Sequence, residues 1–184
     1  MSSDVFILCA VRAAEPVEAL REALNTAGVK PAKVQDLLFG CDGPGTIDLE
    51  ELIRLTGLTC PATTVSSSLR ALGFAAQSII CGETDIALVG GAQDGPAAAL
   101  LLASPAAVGR SNLMPLARLE AFSVAGVDAA LKKTDLAPED VQIRVEGTCG
   151  ALLVVELMQA LGKHGEERGL LMVNGGGAVL VERV

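Results

Sequence analysis

Three observations predict that this 184-residue chain folds as an α/β protein of two similar halves. Short apolar runs alternate with stretches of helical period, the order βαβα. A segment near the start recurs near the end at constant spacing. The composition is aliphatic, 51% apolar with 2% aromatic residues and no Trp or Tyr, which suits small side chains packed between closely stacked layers.

The elements follow in order. Val5 to Val11 (VFILCAV) reads as a buried central strand. Glu15 to Ala27 reads as a helix, with Pro16 in its first turn, Val17, Leu20 and Leu24 on one face, and Gly28 as its cap. Val34 to Phe39 is a second strand, followed by a turn-rich loop, Gly40 to Gly45. Asp48 to Leu55 is a short helix, and Pro61 to Val65 a third strand. Then comes a serine-rich helix start, Ser66 to Ser68. The helix itself places Leu69, Leu72, Phe74, Ala76, Ile79 and Ile80 at roughly three- to four-residue intervals. Gly82 stops it. Ile86 to Val89 is a buried strand running into Gly90 and Gly91, and Ala97 to Ala103 a fifth. This order predicts a mostly parallel sheet with helices on both faces.

The second half repeats the first. Arg21 to Gly40 resembles Asp128 to Gly147, with Pro31 meeting Pro138, Gln35 meeting Gln142 and Gly40 meeting Gly147 (147 − 40 = 107). The double glycine at Gly90 matches Gly175 at a shorter spacing (175 − 90 = 85), with a helix before it from Leu152 to Leu161. The difference, 107 − 85 = 22 residues, predicts that the second half lacks about one helix and one strand. The halves are placed at 1–96 and 97–184, together one compact unit.

Net charge is −8 and the isoelectric point about 4.6, which argues against a nucleic-acid partner. The cysteines at 9, 41, 60, 81 and 149 form no CxxC, and with one histidine no metal site is expected. They read as buried small residues of a reducing compartment. The N-terminus shows no basic region or cleavage pattern, so the expectation is a cytoplasmic protein. No apolar stretch is long enough to span a bilayer. A mean hydropathy of +0.48 without such a span implies apolar surface covered by a partner.

The ordered motifs resemble the thiolase family, within the wider thiolase and β-ketoacyl synthase fold. AVRAAE is similar to the family's AVRTP opening, and ALNTAGVKPAKVQDLLFG to ALERAGVDPxDVDEVIxG. SSLRALGFAAQSIICGETDIALVGG resembles SGLQAIxxAAQxIxxGEADVVVAGG. PLARLEAFSVAGVD and the terminal NGGGAVLVERV resemble the C-terminal half. The resemblance covers nearly the whole chain and implies a layered αβαβα arrangement of two stacked βαβαβαββ-type halves, the second shortened.

The departures bear on chemistry. The family's nucleophilic cysteine turn, VNxxCxSGL, is gone; counted back from Leu69, its position falls on Val65. Met172, Val173 and Asn174 stand where a second cysteine precedes the terminal glycines. VEGTCGALL (Val145 to Leu153) contains no GHP histidine. The NEAF motif and the large loop domain are absent: Gly95 runs through Pro96 into Ala97. Acyl transfer of the thiolase type needs a thiolate, an acid/base and an oxyanion hole.

The expectation is therefore a non-catalytic thiolase-like subunit, pairing with an active thiolase-family partner or with itself and needing no cofactor. By resemblance, its interface would be the strand Pro61, Ala62, Thr63, Thr64 and Val65. A second expectation is a module binding a CoA ester or another anion through Ser66, Ser67 and Ser68, which helix capping explains more simply, together with Gly175, Gly176 and Gly177. A third is a diverged acyltransferase using Cys149 of GTCG, a cysteine that precedes a helix or simply fills a tight turn. Asp42 and Asp94 lie in glycine-rich loops and read as turn residues or ligand contacts. Glu146 and Glu156 have no evident acid/base partner, and His164 reads as an exposed helix cap.

Overall fold

Nine strands and six helices form in the order the periodicity suggests, within a computed structural model that describes residues 4–43, 46–174 and 176–184. The first half contains β1 (Val5–Ala13), α1 (Pro16–Ala27), β2 (Asp36–Cys41), α2 (Leu49–Thr56), β3 (Ala62–Val65), α3 (Ser68–Ile80), β4 (Ile86–Ala92), β5 (Ala97–Ala103) and α4 (Pro105–Ser111). The second contains β6 (Ala117–Ser123), α5 (Val127–Leu131), β7 (Ile143–Gly147), α6 (Gly150–His164), β8 (Arg168–Val173) and β9 (Gly177–Arg183). Local chemistry sets the ends. Pro16 starts α1, and Gly28 closes it in the left-handed conformation at φ 65°. The Asp48 carboxylate accepts the Glu51 amide at the start of α2.

The strands form one hydrogen-bonded sheet in the order β3-β2-β4-β5-β1-β6-β9-β8-β7. This corrects the expectation of a mostly parallel sheet. Only β2–β3, β2–β4 and β7–β8 pair in parallel; β4–β5, β5–β1, β1–β6, β6–β9 and β9–β8 are antiparallel. The reason lies in connection length. A parallel pair needs a crossover of a dozen or more residues, and only a short turn separates β4 from β5 or β8 from β9.

Three apolar clusters divide the structure into five layers. One places Leu20 and Leu24 of α1 and Leu52 of α2 against Leu37, Leu88 and Leu101. A second places α5, through Ala130 and Leu131, against Leu170 and Leu180. Between them, α3 and α6 share the largest cluster, with Leu72, Ala76, Val154 and Leu157 packed against Val89 and Leu100 on one side and Leu171 and Val179 on the other. The layers therefore run αβαβα, with α3 and α6 in the middle.

The repeat is visible strand by strand. β6, β9, β8 and β7 take the places that β1, β5, β4 and β2 take in the first half. Gln35 accepts the Ile86 amide at the start of β4, and Gln142 accepts the Arg168 amide at the start of β8. Two sequence assignments shift. Gly91 pairs with Gly40, while Val173 pairs with Gly147. The later spacing is thus 173 − 91 = 82, and the deficit 107 − 82 = 25 residues. Gly90 and Gly91 match Met172 and Val173 rather than the terminal glycines. What is missing is the counterpart of α2 and β3, because Gly147 leads almost directly into α6. β5 lies between β4 and β1 in the sheet, and α4 follows it before β6.

Candidate functional site

The carboxyl ends of the parallel strands converge on the starts of α3 and α6, the position where open α/β sheets place ligands. β2 runs out through Cys41 into Asp42, and β3 runs into Ser66 and Ser67. β7 runs into Thr148 and Cys149, and β8 into Asn174. These segments surround a cleft of about 460 Å³, lined by Cys41, Asp42, Ser66, Ser67, Arg70, Thr148, Asn174 and Gly177 among others. The rim is tied across the two halves where the Thr148 hydroxyl donates to Gln93 Oε1 at 2.6 Å.

The floor is a bonded cluster. Ser68 is fully buried. Its amide donates to both Asp42 oxygens at 3.1 Å, and its hydroxyl also donates to that carboxylate. The same hydroxyl oxygen accepts the Ala151 amide of α6 at 2.9 Å. Ser68 Oγ lies 3.5 Å from Cys149 Sγ. The Ser67 hydroxyl accepts the Arg70 amide at 3.3 Å, so it caps α3. Close approach is possible because Gly91 lies beneath: a Cβ there would sit 2.4 Å from Ser68 Cβ and 2.8 Å from Ala151 Cβ.

The electrostatics disfavour thiolates. Burial, above all, pushes the Cys149 thiol from its ordinary 9.0 up to about 11, and the Asp42 charge adds to this against the hydrogen bonds from the Leu152 amide and Ser68. Cys41 is raised for the same two leading reasons, burial and then Asp42. A reactive cysteine requires the opposite environment, an electropositive and accessible one.

The sequence-derived candidates separate here. Ser66, Ser67 and Gly177 line the cleft, whereas Ser68 is sealed in its floor. Cys149 is the N-cap residue of α6 but is buried rather than open. Gly176 sits in the turn before β9 at φ 109°, and Gly175 lies outside the described residues. Val65 ends β3, half-buried against the central cluster. Asp94 occupies the β4–β5 turn at φ 47°, while Glu146, Glu156 and His164 are exposed and line no part of the cleft. The stretch from Pro61 to Val65 lies along the outer edge of the sheet, with Thr63 and Thr64 exposed. Sequence reasoning treated Cys41 only as a small buried residue and gave Arg70, Thr148 and Asn174 no role. The repeat held a signal for the central pair, since it aligns Asp42 with Cys149 (149 − 42 = 107). Among the described residues no cluster of His, Cys, Asp and Glu could hold a metal ion, and no helix is long and apolar enough to cross a membrane.

Fold and site define a five-layered α/β protein with a cleft at the paired starts of its two central helices. Its backbone matches the crystal structure of the Bacillus anthracis acetyl-CoA acetyltransferase at a TM-score of 0.84, over 98% of this chain and 99% of that chain, with 16% sequence identity. It matches human mitochondrial 3-ketoacyl-CoA thiolase at 0.82, over 98% and 99%, with 14% identity. In sequence it is 36% identical over 81 residues to an acetyl-CoA acetyltransferase of Chromobacterium violaceum, covering 39% of this chain and 21% of that protein. It is 36% identical over 84 residues to a 3-ketoacyl-CoA thiolase of Bacillus subtilis, covering 40% and 22%. No protein-family model matches the sequence. The chain thus has the fold of these thiolases throughout and resembles thiolases in sequence over part of its length. The matched stretch spans about a fifth of each curated relative.

Proposed function

We propose that this chain is a non-catalytic thiolase-like subunit that pairs with a thiolase-family partner, or with a second copy of itself, in acyl-CoA metabolism. The observation that carries this reading is the Asp42 carboxylate at the start of α3, beside two thiols whose ionisation it opposes. Acyl transfer through a thiolate needs the reverse. The pairing surface is β3 with the neighbouring face of α3. β3 is the last strand of the sheet, and α3 exposes Phe74 at 57% and Ile80 at 45%. An uncharged edge beside exposed apolar side chains suits strand-to-strand association. No cofactor is needed for that role, and the expected location is the cytoplasm.

Native mass measurement of the untagged protein from its own cells tests this. A constant stoichiometric thiolase-like companion, or a homodimer lost in Phe74→Lys, is the expected result. A monomer sinks the reading. A second reading, binding of a CoA ester, draws on the polar cleft with Arg70 at its rim. It expects coenzyme A or acetyl-CoA to raise the melting temperature of the purified chain by mass action.

A further inference from the structure

We infer that Asp42 is the specificity-determining residue of the cleft: a tethered anion that fills the position at the start of α3 where a ligand's carboxylate, phosphate or developing oxyanion would otherwise be received. The cleft therefore admits neutral or cationic groups at its floor and excludes negative ones. This sharpens the reading above, that the cleft carries no acyl-transfer chemistry of its own.

The start of a helix attracts anions because its first amides lack partners within the helix and the dipole is positive there. Here the chain itself takes several of those donors. The Ser68 amide and hydroxyl both go to Asp42, the Arg70 amide goes to Ser67 Oγ at 3.3 Å, and the Ala151 amide of α6 goes to Ser68 Oγ at 2.9 Å. An incoming anion would have to displace a carboxylate that holds two hydrogen bonds from one residue. It would also lie against that carboxylate's charge. Asp42 lines the cleft while bonded to its floor, so the charge is presented to any occupant.

The test is a titration of the full chain with sodium acetate, and separately with inorganic phosphate, at fixed ionic strength, following the Ser68 and Ala151 amide resonances. The native chain is expected to show no saturable shift, and Asp42→Ala to acquire one. Saturation in the native chain, or silence in Asp42→Ala, overturns the inference. Should Asp42→Ala fold poorly, Asp42→Asn keeps the shape, removes the charge and exchanges one of the two acceptor oxygens for a donor. Its Cys149 thiolate fraction at pH 9, read by ultraviolet absorbance against a Cys149→Ser background, is expected to rise, because the Asp42 charge adds to burial in opposing ionisation. An unchanged fraction overturns the inference. A missing companion would sink the subunit reading and leave these readouts as they are, whereas an acetate response in the native chain would leave the companion in place.

Discussion

Gly150 and Leu69 bring the two central helices into backbone contact: a Cβ on Gly150 would lie 2.9 Å from the Leu69 N, Cα and Cβ atoms. The neighbour on the other side is main chain, which cannot rotate away. Gly150→Ala is therefore expected to destabilise the protein by about 1–3 kcal/mol, the usual cost of overpacking. Urea denaturation would show it. A change of under a few tenths of a kcal/mol would mean that the helices separate freely.

Ser68 holds three groups at once, and replacing it by Ala strands the buried Ala151 amide and removes the hydroxyl donor from Asp42. The amide of residue 68 survives the change, so one bond to Asp42 remains. Ser68→Ala is expected to cost about 1–3 kcal/mol, and Ser68→Thr less. Equal stability of Ser68→Ala and the native chain would show that water replaces the hydroxyl.

Stability should fall at alkaline pH. Burial raises Cys9 and Cys149 from 9.0 to about 11 each. The folded state thus keeps protons that the unfolded state releases above pH 9. Their stabilising effect is complete below that pH and is lost between pH 9 and about 11, by roughly 2 kcal/mol per thiol. Denaturation midpoints at pH 8 and pH 10.5 measure the loss, and Cys149→Ala should flatten part of it. A midpoint independent of pH across this window would contradict the burial of both thiols.

Thiol labelling should follow exposure. Cys81 is exposed at the end of α3, whereas Cys9, Cys60 and Cys149 are buried. Iodoacetamide at neutral pH is expected to modify Cys81 first and Cys149 only as the protein unfolds. Peptide mass analysis at early times decides this, and early labelling of Cys149 would revive it as a nucleophile.

Much of this was legible in the sequence, for identifiable reasons. Gly28, Pro16 and the period through Leu20 and Leu24 are local signals, and local structure obeys them. The repeat was readable because Pro31, Gln35 and Gly40 serve a turn, a strand start and a strand end, and the same tasks recur at Pro138, Gln142 and Gly147. Strand direction was less readable, since an unbroken run such as Ala97 to Ala103 is buried in full whichever way it runs. The glycine pairs misled for a physical reason. Gly91 makes room for Ser68 and Ala151, whereas Gly176 serves a turn, so their shared identity reflects two different demands. Asp42 was visible only as a loop residue, because its partner Ser68 lies 26 residues away and meets it through the sheet.

The lost counterpart of α2 and β3 leaves the sheet with two unlike ends. β3 presents Ala62, Thr63, Thr64 and Val65, without charge, while β7 carries exposed Arg144 and Glu146. Charged residues on an edge resist pairing with another chain. Joining β3 to β3 uses the same patch on both partners and closes on itself, whereas joining β3 to β7 would leave a free end to be met again and build a filament. On the pairing proposed above, the shortening of one half acts as a stop on growth: a single adhesive edge is kept, and an assembly built through it ends at two.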